Sequence, residues 1–206
     1  MSPTFPLWPA SELSPMRSGY ELLTKAVAGV LRHASVDVLP PFVRTLGLPQ
    51  SELMAALACC RPHEAYVPIS DLKYAVVVGT VPPLFHEVVA HLMASRTAEA
   101  DARHVNWLAR AIAAASLGNR MLWQDLGLAG RHEVTALMKL YFQPLFQRNL
   151  TDLKWKRFIF RELGDKLGRH DMRPPGCHRC AQYRKCFETG RLAPPAASAL
   201  KRAVAA

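Results

Sequence analysis

Asp101-Ala-Arg-His-Val105-Asn-Trp-Leu108-Ala-Arg-Ala-Ile112-Ala-Ala-Ala115-Ser-Leu117-Gly118 decides the fold class. Val105, Leu108, Ile112 and Ala115 recur at steps of three and four, which puts them on one face of a helix, and Gly118 is placed as a left-handed terminator. The same spacing returns upstream. Leu22, Leu23, Ala26, Val27, Val30 and Leu31 predict a helix from Tyr20 to His33 that ends before Pro40-Pro41. Glu52 to Cys60 reads as a second helix, capped by Ser51 and stopped by Pro62. Leu84 to Arg96 reads as another, through Phe85, Val88, Val89, Leu92 and Met93.

Downstream, His132 to Arg148 and Asp152 to Leu167 are expected as helices, the first bent or interrupted by Pro144. Between them Asn149 is placed to end one and Thr151 to cap the next. In the second, Trp155, Phe158, Ile159, Leu163 and Leu167 form an apolar stripe opposite Lys154, Arg157, Arg161 and Asp165. Trp123 is expected to be packed and Asp125 to cap or pair. The β-branched run in Tyr74 to Val81 has no second strand to pair with, so a buried extended segment is expected there. The prediction is a mainly α protein, a helical bundle with a C-terminal cysteine-rich metal-binding loop.

The expected organisation is a flexible leader over 1–18, with prolines at 3, 6, 9 and 15, then a helical domain over 19–168. A cysteine-rich metal-binding segment over 169–190 and an Ala/Pro-rich tail over 191–206 complete it. A chain of 206 residues, 50% apolar and 20% charged, has the composition of a soluble domain rather than a disordered or fibrous one. Such a chain buries roughly 70% of its unfolded surface, so its core needs no metal and any metal serves function first. No apolar run approaches the ~18 residues of a membrane span, and the amino end has no basic cluster followed by an apolar stretch. A cytoplasmic location and no membrane partner are therefore expected.

Lys and Arg number 26 against 16 Asp and Glu, a net +10 that favours anionic partners. Nucleic acid is a poor candidate, because no RNP-like, zinc-finger or phosphate-loop pattern accompanies the charge. Hydrolytic triads, nucleophile elbows and dinucleotide-binding glycine patterns are missing too, which argues for a carrier rather than a turnover enzyme.

Five cysteines lie unevenly. Cys59 and Cys60 fall on an apolar helix end, where inert buried thiols are the usual outcome. Cys177-His-Arg-Cys180-Ala-Gln-Tyr-Arg-Lys-Cys186 is a C-x2-C-x5-C cluster that, in a reducing compartment, reads as metal binding. The first two thiolates converge through a tight knuckle and the third returns after a short loop. Three thiolates complete neither tetrahedral zinc nor a four-cysteine iron–sulfur cluster. Spacing leaves open a structural zinc completed by His178 or His170, an iron–sulfur cluster, and unliganded thiols.

Leu122-Trp123-Gln124-Asp125-Leu126-Gly127-Leu128, Asn149, Lys154-Trp155-Lys156-Arg157-Phe158 with Phe160-Arg161, and Cys177-x2-Cys180-x5-Cys186-Phe187 together resemble the successive motifs of the NifQ family. These are nitrogen-fixation proteins that handle molybdenum. The resemblance is strong from about residue 100 to 188. It implies an iron–sulfur protein that acquires molybdenum, holds it in a molybdenum–iron–sulfur cluster and donates it during assembly of the nitrogenase iron–molybdenum cofactor. The implied partners are the nitrogenase reductase and the iron–molybdenum cofactor scaffold complex.

The family pattern is usually C-x4-C-x2-C-x5-C, and Met172 stands at its first cysteine. Met121 stands where the family has His, and Gly164 where Cys is common. A thioether is a much weaker iron ligand than a thiolate. Cys177, Cys180 and Cys186 still supply one thiolate for each of three irons, leaving a molybdenum corner to His178, water or an organic acid. Arg173, Arg179, Arg184 and Lys185 are placed to offset cluster charge and attract molybdate. A structural-zinc interaction or regulatory module that has lost molybdenum handling is the alternative.

Overall fold

In the computed structural model, α5 (Ala102–Leu117) is buried nearly all round, with Val105, Trp107, Leu108, Ile112 and a run of alanines enclosed. Residues 111–116, its C-terminal half, are buried all round, as fits a helix at the centre of its domain, while Arg103 is exposed at the other end. The alanines let neighbours approach closely, and the Asp101 carboxylate caps the helix by accepting from the His104 N–H at 2.8 Å. The structure describes residues 10–36, 38–61 and 70–187, with side chains from residue 18. Among these it is all helical: α1 (Ala10–Ser35), a 3₁₀ turn (Pro41–Thr45), α2 (Gln50–Cys60), α3 (Asp71–Gly79) and α4 (Pro83–Met93) precede α5. After it come α6 (Leu122–Asp125), α7 (Arg131–Tyr141), α8 (Gln143–Arg148), α9 (Trp155–Lys166), a second 3₁₀ turn (Pro175–Arg179) and α10 (Tyr183–Phe187).

Helices α1 and α4 flank α5, α9 packs on α4, and α7 leans on α1. One core runs through all of them, from Leu23 and Val27 to Phe158 and Leu163. At Gly29 a side chain would overlap the carbonyl of Leu126, and Gly127 turns with φ +64°. Glycine is required at both positions, one for close approach and one for its left-handed backbone. No single helix among the described residues is long and apolar enough to cross a membrane.

Several local expectations are corrected. Tyr74 to Val81 is not a buried extended segment: it falls largely in α3, with only Tyr74 buried, its hydroxyl donating to Leu48 O at 2.7 Å. With no strand to pair with, the backbone satisfies its N–H and C=O groups within a helix. Gly118 is extended, at φ −70° and ψ 172°, rather than left-handed. The N-cap position of α2 belongs to Pro49 and not Ser51.

Thr151 caps nothing, because α9 begins only at Trp155. The Asn149 side chain donates to Leu153 O and accepts from the Leu153 N–H, each at 2.9 Å, closing a loop that delays the helix. Leu167 of the expected stripe is exposed, whereas Phe160 is buried. The helix around Pro144 is interrupted as expected, with the break at Phe142 giving α7 and α8. Helix α1 starts at Ala10, inside the stretch expected as leader, where Ala10, Glu12, Leu13 and Met16 are good helix formers following Pro9. Residues 1–9 and the 191–206 tail lie outside the described residues.

His91 on α4 is buried and its Nε2 has no hydrogen-bond partner. Burial, assisted by Lys166 and Arg148 and opposed by Glu162, holds its pKa below the usual 6.5. Below 6.5 the unfolded chain takes up a proton that the folded chain refuses, so stability falls with pH until the folded pKa is reached. Urea unfolding followed from about pH 7.5 to about pH 5.5 is expected to show a loss of up to about 1.4 kcal/mol per pH unit that His91→Gln removes.

Candidate metal centre

Asp125 closes α6 with no exposed surface, beside Lys156 on the first turn of α9. Its Oδ1 accepts from Arg120 Nε at 2.8 Å and its Oδ2 lies 3.4 Å from Lys156 Nζ. Lys156 Nζ also donates to the carbonyls of Arg120 and Gly118, at 2.6 and 3.2 Å. The Asp125 carbonyl in turn bonds His33 Nδ1 at 2.9 Å, which ties in α1. Burial pulls the Lys156 ammonium below its ordinary range, while Asp125 and the thiols of Cys177 and Cys180 act against that pull.

The cysteine segment is seated on this frame. A Cβ on Gly118 would stand 2.5 Å from Asp125 Oδ2, and one on Gly176 would overlap the Gly118 carbonyl. Backbone therefore lies on backbone where the segment enters its turn. Cys177 sits in the second 3₁₀ turn and its carbonyl accepts from the Cys180 N–H at 2.9 Å, closing a tight turn between the two cysteines. The Cys180 carbonyl accepts from the Tyr183 N–H and starts α10, which carries Cys186. Arg157 fastens that helix by donating to the Cys186 carbonyl, and Phe187 is held between Arg157 and Arg173 at 5.3 and 5.0 Å. Arg173 also donates to the Tyr183 hydroxyl at 2.7 Å.

Cys177, Cys180 and Cys186 line one cavity of about 100 Å³. Its walls are Trp123, Trp155, Leu122, Val134 and Phe187, and its charged residues are Arg120, Arg131, Lys154, Lys156 and Arg157, with no Asp or Glu. All three thiols are partly exposed, so the cavity reaches the surface. Burial pushes the Cys177 thiol up to about 11, against the pull of Lys156, so it stays protonated at neutral pH and a metal must displace its proton.

The other anticipated groups are dispersed. His178 turns from this cavity, its Nδ1 2.7 Å from Pro175 O, and lines a separate groove with Val38, Leu39 and Arg179. His170 is exposed near Asp165. Met172 packs against Gly164 rather than lining the cavity, whereas Met121 does line it. Cys59 lies 2.7 Å from the Tyr20 hydroxyl, and burial pushes the Cys60 thiol up to about 12, as befits unreactive thiols.

Among the described residues no three or more His, Cys, Asp or Glu side chains are arranged to hold a metal ion. The basic wall was not anticipated from sequence. Its one available signal was Lys156, a charge on the same helical face as Ile159, Phe160 and Leu163.

A family model described as NifQ matches residues 23–188. Protein NifQ of Azotobacter vinelandii is 37% identical over 81 residues, covering 39% of this chain and 42% of that protein. Protein NifQ of Klebsiella pneumoniae is 39% identical over 82 residues, 39% of this chain and 49% of the relative. A NifQ homolog of Sinorhizobium fredii is 32% identical over 82 residues, 40% and 36% of the two chains. The chain thus spans less than half the length of these curated relatives. No solved structure matches.

Removing one member of a buried ion pair strands the other charge. Asp125→Ala is therefore expected to cost about 3–5 kcal/mol in urea unfolding, and to speed alkylation of Cys177 as the segment loses its seat.

Proposed function

The chain belongs to the NifQ family, matched from residue 23 to 188, and on that premise we propose that it is a molybdenum carrier and donor. The family implies a role in nitrogen fixation. In this reading the protein holds an iron–sulfur or molybdenum–iron–sulfur cluster and hands molybdenum on for biosynthesis of the nitrogenase iron–molybdenum cofactor. The observation that carries it is the largely apolar cavity that Cys177, Cys180 and Cys186 line together.

The donor set fits a cluster better than a single ion. A mononuclear zinc needs four ligands converging on one point, and no such group exists among the described residues, with His178 bonded elsewhere. Thiolates on a cluster end on different irons, so three that line one cavity need not converge on a single point. The cluster would supply soft sulfide and iron sites for molybdenum. Cys177, Cys180 and Cys186 would bind one iron each, while Lys154, Lys156 and Arg157 offset the negative charge of the thiolates. Trp123 and Phe187 restrict water, and the partly exposed thiols leave a route for transfer. The recipients in this reading are the nitrogenase reductase and the cofactor scaffold complex, and the protein acts as a carrier without turnover.

Iron, molybdenum and zinc measured on anaerobically purified and reconstituted protein test the reading. Iron with molybdenum and a brown colour are expected, and Cys180→Ser is expected to lose most of the iron. Retention of both metals by Cys180→Ser would count against it. A colourless protein carrying zinc alone would replace it with a structural-zinc module.

A further inference from the structure

We infer that Cys59 and Cys60 form a second thiol site, apart from the cysteine cavity, that captures a neutral trivalent arsenical between its two sulfurs. The inference stands independently of the carrier reading, because neither residue lines the cavity of Cys177, Cys180 and Cys186.

Neighbours in sequence normally diverge on a helix. Here they meet: the two cysteines end α2 and their thiols share a hydrogen bond, just before Arg61 leaves helical geometry at φ −138° and ψ 53°. From α1 the Tyr20 hydroxyl reaches across to Cys59 Sγ at 2.7 Å, and the ring of His104 packs edge-on against Tyr20 with centroids 5.3 Å apart. The Cys59 side chain is thus oriented before any ligand arrives, which lowers the cost of ordering it on binding. Both cysteines pack on the core by one side yet remain partly exposed, so a small molecule meets them without unfolding of the chain.

Their protonation selects the class of ligand. Burial and the neighbouring Cys59 push the Cys60 thiol up to about 12, and the hydrogen bond to Cys59, with burial, raises Tyr20 to about 12, so both are uncharged at neutral pH. A thiol that keeps its proton is a poor nucleophile toward alkylating agents, which require the thiolate. A metal cation has to expel such protons and leave a charged complex in half-buried surroundings. A trivalent arsenical meets neither obstacle. With an organoarsenic oxide, two S–H bonds and the As=O bond break, two As–S bonds form, and the oxygen leaves as water with both protons. Arsenic stays trivalent, no electrons are exchanged, and reactants and product are neutral. Two adjacent thiols are required, since the second As–S bond closes within the molecule and secures the first.

Intact mass of reduced, metal-free full chain incubated anaerobically with phenylarsine oxide and then washed with excess glutathione tests this. A variant with Cys177, Cys180 and Cys186 all replaced by Ser is expected to retain one phenylarsenic group per chain and to lose both remaining free thiols. Adding Cys59→Ser or Cys60→Ser to that variant is expected to weaken retention against glutathione about a hundred-fold or more, the loss of the closing bond. Circular dichroism checks the folding of each variant. In the wild type, the arsenical is expected on the tryptic peptide 45–73, which holds Cys59 and Cys60 and no other cysteine.

Absence of arsenic from that peptide in folded wild-type protein would overturn the site. So would retention unchanged by both single replacements, or capture that occurs only after urea has unfolded the chain, because the thiols would then not be presented together by the fold.

Discussion

A lysine and an aspartate buried side by side, Lys156 and Asp125, carry the geometry on which the cysteine cavity depends. Taking both charges out of water costs several kcal/mol per ion, roughly, and their mutual attraction repays this only with added hydrogen bonds. Those bonds come from structure that must be held together anyway. Lys156 donates to the carbonyls that follow α5, Asp125 accepts from Arg120, and the Asp125 carbonyl meets His33 of α1. Three segments distant in sequence, α1, residues 118–125 and α9, are thereby joined at one polar point. Hydrophobic residues there would pack as well but would not specify which carbonyl meets which helix.

The frame reaches the cysteines through backbone rather than side chains. Gly118 is small because Asp125 stands over it, and Gly176 is small because Gly118 stands under it. Two glycines in series bring the Pro175–Arg179 turn close to the buried pair, near enough for Lys156 to sense the Cys177 and Cys180 thiols. On the far side Arg157 and Arg173 clasp Phe187, so α10, too short to be stable alone, is held at both edges. The same turn divides its residues between two surfaces. Cys177 and Cys180 face the basic cavity, while His178 and Arg179 line the groove toward Leu39.

Most of the bundle was legible because burial imposes a helical period that needs no knowledge of tertiary partners. Val105, Leu108, Ile112 and Ala115 are all buried where their spacing placed them. Elements decided by polar side chains at chain ends were not. Asn149 binding Leu153 postpones α9, and the orientation of Gly118 is set by a carboxylate from another helix. The Tyr74 to Val81 run misled because β-branched composition describes side chains, whereas a segment without a partner strand must satisfy its own backbone. At the site, the cysteine spacing foretold a tight turn between Cys177 and Cys180. The basic wall was not foretold, since Arg120, Arg131 and Lys154 belong to separate segments and converge only on folding.

Met172 and Gly164, two of the departures from the family's usual pattern, lie against each other: a Cβ on Gly164 would stand 2.7 Å from Met172 Cβ. A larger residue at 164 and the present placement of Met172 exclude one another, so the two changes are coupled by packing rather than independent losses. Met121, the third departure, lines the cavity and replaces an ionisable ring with a neutral soft thioether. Five cationic side chains line the cavity, but Arg120, Lys156 and Arg131 are already paired with Asp125 or Asp152, so the formal charges balance once all three thiolates form. A bound cluster therefore meets a wall whose charge is compensated by groups already in place, and loss of the thiol protons, opposed at Cys177 by burial, is the step that its binding must drive.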